Sequence, residues 1–186
     1  MAEKTRKLAP ATLLILLAVA SFAAAAVTIT NITEWHVQSA GTPPIVKVAG
    51  TDVDGKLISV TTQTGSDGTN RTIITIKGYT GDPTYYSEVI KICNKGDQAY
   101  NVKLVAKGVL DGNWNYVHYL KLWLNNQEPP LELKSGQTTG ETSQVSVPAG
   151  ECVPVSAEVL VKATDPLPPT NQDLVVVEVD VVSSTG

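Results

Sequence analysis

Every second residue of CVPVSAEVLVKA, residues 152–163, is apolar: Val153, Val155, Ala157, Val159 and Val161 point one way, and Pro154, Ser156, Glu158, Leu160 and Lys162 the other. A period of two belongs to an extended strand, because the apolar stripe of a helix recurs every three or four residues. AYNVKLVAKG, residues 99–108, repeats the pattern, with Tyr100, Val102, Leu104 and Ala106 opposite Asn101, Lys103 and Lys107. Both runs read as antiparallel strands with one face buried and one solvated.

Further strands are expected at IVKVA (45–49), KLISVTT (56–62), TIITIK (72–77), YYSEVIKIC (85–93), YVHYLKLWL (116–124), SQVSV (143–147) and LVVVEVDVV (174–182). Turn chemistry separates them: Asp52-Val53-Asp54-Gly55, Gly65-Ser66-Asp67-Gly68, Gly78 to Pro83, Asn94-Lys95-Gly96-Asp97, Asp111-Gly112-Asn113 and Pro148-Ala149-Gly150-Glu151. After residue 26 no stretch sustains a 3.6-residue apolar period. Roughly nine or ten short strands with these turns imply an all-β sandwich. YVHYLKLWL is apolar on both faces, with Tyr116, Leu120, Leu122 and Leu124 on one and Val117, Tyr119 and Trp123 on the other. It is expected to be a central strand, covered twice by the fold or contributing to an interface.

The chain opens differently. Lys4, Arg6 and Lys7 precede an apolar run from about Leu8 to Ala20, and Ala24 and Ala26 form an Ala-x-Ala site before Val27. This is the layout of a cleaved signal peptide. The apolar run is ~13 residues, against the ~20 that cross a bilayer as a helix. An uncleaved anchor reading through the alanines is the alternative. Directly behind it VTITNITEWHV, residues 27–37, reads as a strand, and Ser39-Ala40-Gly41-Thr42-Pro43-Pro44 separates it from the body. A second Pro-rich stretch, Thr164 to Thr170, precedes the last strand. Pro-Pro holds a segment extended and cannot continue a ladder, so the first linker can carry the strand away from its own domain. The expected organisation is a signal peptide at 1–26, an amino-terminal strand at 27–38, a linker at 39–44 and one sandwich domain at 45–186, with the membrane met only during export.

The chain holds 14 basic and 18 acidic side chains; removing residues 1–26 takes away three bases and one acid, leaving 11 and 17 and a formal charge of −6. Without a cluster of Lys or Arg, such a surface has no electrostatic footprint for nucleic acid. The only cysteines, Cys93 and Cys152, form an even pair suited to an oxidising compartment, and a bridge between them would close a long loop worth roughly 4 kcal/mol on chain-entropy grounds. Two buried thiols are the other reading of the pair.

Little else suggests chemistry. The two histidines, His36 and His118, lie in no zinc or nucleophile motif, and no enzyme, resident metal or cofactor is expected. Asp52-Val53-Asp54-Gly55 has the opening of a calcium loop, with Asp52 and Asp54 as weak candidate ligands. The following Lys56-Leu57-Ile58 supplies no further ligand, and a strand-joining turn is favoured. Asn31-Ile32-Thr33 and Asn70-Arg71-Thr72 are glycosylation sequons; Asn70 follows a turn and is expected to be exposed, whereas Asn31 lies within the amino-terminal strand.

Val27, Ile29, Ile32, Trp35 and Val37 are too apolar for a solvated tail, since burying such side chains is worth ~1.5–3 kcal/mol each. The alternation breaks between Ile29 and Ile32, which implies a bulge or a change of face. The strand can fold onto its own sandwich, or it can insert into a groove of the next subunit, where ladder bonds give affinity and side-chain pockets give register. Contacts of the second kind that do not close make filaments.

The signal peptide with a strand directly behind it, the VIKICNKGDQAYNVKLVAKG hairpin, the two-faced YLKLWLNN strand and the VPAGECVPVSAEVLV run together resemble the TasA/camelysin-like secreted filament subunits, and most closely the archaeal bundling pilins. The resemblance covers most of the chain after residue 26. It implies a jelly-roll-like sandwich whose amino-terminal strand, Val27 to Val37, completes a neighbouring copy and so builds an extracellular fibre that can bundle, in a pilus or a biofilm matrix. The chain is shorter than the bacterial members and carries no protease motif. Two other readings compete: a monomeric extracellular binding module using Trp114, Tyr116, Tyr85 and Tyr86 for a carbohydrate or cell-surface partner, and a type IV pilin that keeps its apolar helix. Pro10 and the lack of a small residue after Lys7 count against the pilin.

Overall fold

A computed structural model describes residues 42–64 and 70–185, together with Thr33 and Gln38. The expected signal peptide, the amino-terminal strand with Val27, Ile29, Ile32, Trp35 and Val37, and the Asn31 sequon lie outside the described residues. Among the described residues there are eleven strands and no helix. They are β1 (Ile45–Ala49), β2 (Ile58–Thr64), β3 (Asn70–Ile76), β4 (Thr84–Asn94), β5 (Tyr100–Gly112), β6 (Val117–Leu124), β7 (Leu131–Leu133), β8 (Gly140–Glu141), β9 (Val145–Val147), β10 (Cys152–Val161) and β11 (Val175–Thr185).

Two sheets face each other, as expected for a sandwich. The first has the order β1-β4-β10-β6-β7; the second has β5 at its centre, flanked by β11 on one side and by β8 and β9 on the other. Each named strand pair is antiparallel. The chain crosses between the sheets from β4 to β5 to β6, and again from β9 to β10 to β11, which gives the jelly-roll character. β2 and β3 form a separate two-stranded ribbon.

The alternation in β10 sets the core. Val153, Val155, Ala157, Val159 and Val161 are all buried, opposite Ile92, Ile90 and Tyr86 of β4 on one side and Leu124, Leu122, Leu120 and Val117 of β6 on the other. Val102, Leu104 and Ala106 of β5, with Val145 and Val147 of β9, supply the facing layer. These residues form one continuous apolar cluster.

β6 departs from the expected alternation. Its register against β10 shifts between Leu160 and Val161, so that Leu160 opposes Tyr119 and Val161 opposes Val117. The irregularity falls at His118, and it turns Val117 onto the core face with Leu120, Leu122 and Leu124, not onto the face of Tyr119 and Trp123 where strict alternation put it. Tyr119, Lys121 and Trp123 line the other face, with the Tyr119 hydroxyl donating to Glu158 Oε1 at 2.9 Å and Lys121 Nζ 4.3 Å from the centre of the Tyr119 ring.

Cys93 and Cys152 are bridged, and they are directly opposed in the β4–β10 ladder with their Cα atoms 4.0 Å apart. Next to them the Asn94 side chain ties three segments together. Its Nδ2 donates to the carbonyls of Gln98 and Val147, and its Oδ1 accepts from Gly96 N–H. This is what the Asn-Lys-Gly-Asp turn is built around.

Candidate strand-accepting groove

β3 is a Thr/Ile-rich strand after a Gly/Ser/Asp turn, and β11 is a run of valines behind the Pro-rich stretch that ends at Thr170. Among the described residues β3 pairs only with β2, and β11 only with β5. Each therefore turns one ladder edge toward a cleft. The cleft consists of two cavities that share Ile74, Ile76, Leu120 and Val177. The smaller, about 170 Å³, lies among Thr72, Ile74, Val179, Val181 and the Lys47 side chain of β1. The larger, about 560 Å³, lies between residues 73–80 on one wall and 168–177 on the other. Its floor is the β10–β6 surface: Val159, Val161, Val117 and Leu120.

The two walls run in opposite directions. Low-numbered residues of β3 share the small cavity with high-numbered residues of β11, and the reverse holds in the large one. Gly78 brings the end of β3 down onto the floor, because a Cβ there would stand 2.8 Å from Val159 Cγ1 and 3.0 Å from Val161 Cγ2. The Tyr86 hydroxyl, whose ionisation burial pushes up, donates to Lys77 O at 2.6 Å and fixes the same corner from below. Across the mouth Lys77 Nζ donates to Asn171 Oδ1 at 3.1 Å. Ile74 is 36 % exposed and Tyr79 63 %, so apolar surface continues from the core to solvent along this cleft.

The other candidate residues fall elsewhere. Asp54 Oδ1 accepts the N–H groups of Lys56, Leu57 and Ile58, and these bonds hold its carboxyl below the usual carboxylate range. Asp52 Oδ2 accepts from Ser87 Oγ and Glu88 N–H. Asp54 thus closes its own turn and Asp52 ties the segment after β1 to β4, and no group of three metal-ligating side chains occurs among the described residues. Asn70 opens β3 opposite Thr64. Of the aromatics considered for a binding face, Trp114 is buried at 7 % exposure and Tyr86 at 8 %, which removes both from any surface platform. Tyr85 is exposed and meets Trp123 edge-on at 5.9 Å, a pairing that places Trp123 beside it on the outer face.

No sequence motif marks the groove. Its walls are ordinary strand sequence, and only the isolation of the β2–β3 ribbon from β11 reveals it. No protein-family model matches the chain, and no curated protein matches it in sequence.

Proposed function

We propose that this chain is a secreted structural subunit that polymerises by strand exchange, with residues 27–37 of one copy entering the groove between β3 and β11 of the next. The observation that carries this reading is the pair of open ladder edges standing over an apolar floor. A strand inserted there hydrogen-bonds to both walls and joins the β2–β3 ribbon to the second sheet. The segment of the chain suited to the task is short, strand-like in sequence and apolar at Val27, Ile29, Ile32, Trp35 and Val37, with Pro43-Pro44 between it and β1. Eleven residues extend over about 36 Å, enough to follow either wall.

Head-to-tail contacts that do not close into a ring propagate, and the product of this reading is a fibre. The disulfide suits an oxidising exterior, and the amino-terminal layout suits export; together they support an extracellular filament, in a bundling pilus or a biofilm matrix.

The test compares chains 27–186 and 39–186 by light scattering and electron microscopy. Fibres or high oligomers are expected from the first alone, and their recovery in the second on adding a peptide of residues 27–38 in trans is not expected, because a free peptide fills grooves without linking copies. Two well-behaved monomers would sink the proposal.

A further inference from the structure

We infer that the outer face of the first sheet binds a neutral, extended glycan, with Trp123 and Tyr85 as the rings on which its sugars stack and Glu158, Lys121 and Glu132 as the row that hydrogen-bonds its hydroxyls. Such a site goes beyond strand exchange and does not rest on it. The groove floor is made by Val159, Val161, Val117 and Leu120 on the core side of the first sheet, whereas these residues stand on the opposite side.

Four strands each bring one residue to the same level of this face. Tyr85 of β4 opposes Glu158 of β10, Glu158 opposes Lys121 of β6, and Lys121 opposes Glu132 of β7. Each of the four is open to solvent, while its sequence neighbour Tyr86, Val159, Leu122 or Leu131 is buried in the core. Adjacent strands lie about 4.8 Å apart, close to the rise of one sugar in an extended glycan. A chain of sugars laid across the sheet therefore meets one side chain of the row per ring.

Charge selects what the row holds. Glu158 pairs with Lys121 at 3.4 Å and Glu132 with Lys134 at 2.7 Å, so both carboxylates are already compensated. No net charge is left on the row to fix a polycation or a polyanion, and the whole chain, at −4, repels the latter. Still open are carboxylate lone pairs and ammonium N–H groups. A hydroxyl donates to the first and accepts from the second. A neutral polyol is therefore the partner that complements a row of alternating sign.

The rings meet the other half of a sugar's chemistry, the apolar face of C–H groups that stacks on an aromatic ring. Trp123 stands two positions beyond Lys121 on the same face of β6, and Tyr85 meets it edge-on, with ring centres 5.9 Å apart and planes at 74°. Together they form a corner in which one sugar stacks on one ring and abuts the other. Both are held before any ligand arrives: the indole Nε1 donates to Glu128 Oε1 at 2.9 Å, and Tyr85, 53 % exposed, is braced against the indole. Further along the face Tyr119 is tied to Glu158 and lies under the Lys121 ammonium. Side chains fixed in this way lose little freedom on binding.

The test titrates the full-length exported chain, in whatever state of assembly it adopts, with linear glucan, mannan and xylan oligosaccharides as neutral probes and heparin as an anionic one, read by calorimetry. At least one neutral probe is expected to bind, and heparin is not. Tyr85→Ala and Trp123→Ala are each expected to weaken the neutral probe about tenfold, the worth of one stacked ring, and Lys103→Ala on the second sheet to leave it unchanged. The denaturation midpoint of each variant is measured beside its affinity; Tyr85→Ala, at an exposed position, is expected to keep the midpoint, so that its loss of binding is not a loss of fold. Binding of no neutral probe overturns the inference. Binding that survives both ring substitutions overturns this face as the site, and heparin bound in preference overturns the neutral ligand. Each of these results leaves strand exchange standing.

Discussion

Asn94 is fully buried, yet its side chain satisfies two carbonyls and one N–H, from Gly96 and Gln98 of its own turn and from Val147 of β9. An alanine there strands partners that water reaches poorly, at about 1–3 kcal/mol for each group left unpaired. Asn94→Ala should lower the stability by roughly 2–4 kcal/mol in chemical denaturation, some of the stranded groups recovering solvent. Asp54 does comparable work in the open. Three N–H donors favour its ionised form, so its folded pKa is depressed relative to the unfolded chain. Its contribution is complete above the ordinary carboxylate range and disappears as the pH falls through the folded value. The stability gap between the wild type and Asp54→Asn should therefore be widest near neutrality and close on acidification, read from denaturation midpoints across pH.

β4 and β10 carry the first sheet between them, and the Cys93–Cys152 bridge closes 59 residues of chain at their ends. Replacing both cysteines by serine should cost up to about 4 kcal/mol, most of it by freeing the unfolded chain, and should appear as a lower denaturation midpoint of the oxidised protein. The loss is expected without a change of strand register, which side-chain pattern already sets. Strands with long, strict alternation were legible in the sequence: β10 buried all five residues its pattern assigned to the core, and β5 buried Val102, Leu104 and Ala106 while Tyr100, at its start, is only half-buried. Three features were not. β7, Leu131-Glu132-Leu133 behind Pro129-Pro130, and the two-residue β8 are too short to show a period. The shift at His118 moved Val117 because a one-residue bulge leaves no mark in composition. β5 runs on through Asp111 and Gly112, read from sequence as a turn, because pairing with Val175 and Val176 overrides local turn preference.

At the scale of the whole molecule, the apolar segment at 27–37 was legible in the sequence and the groove proposed to receive it was not. Trp35 and its neighbours stand out because five large apolar side chains in the eleven residues 27–37 are too many for a solvated tail. The groove did not, since it arises from how three strand groups are spaced, and no single segment contains that spacing. Its apolar lining has a thermal consequence. Whatever fills the cleft takes Ile74, Ile76, Val177 and Val179 out of water, and removal of such surface carries a negative heat-capacity change and a driving force that weakens on cooling. Subunit association should strengthen between ice temperature and 40 °C, and calorimetry of the joint should give an enthalpy that grows more favourable with temperature. Fibres built on this contact would loosen in the cold and hold best when warm.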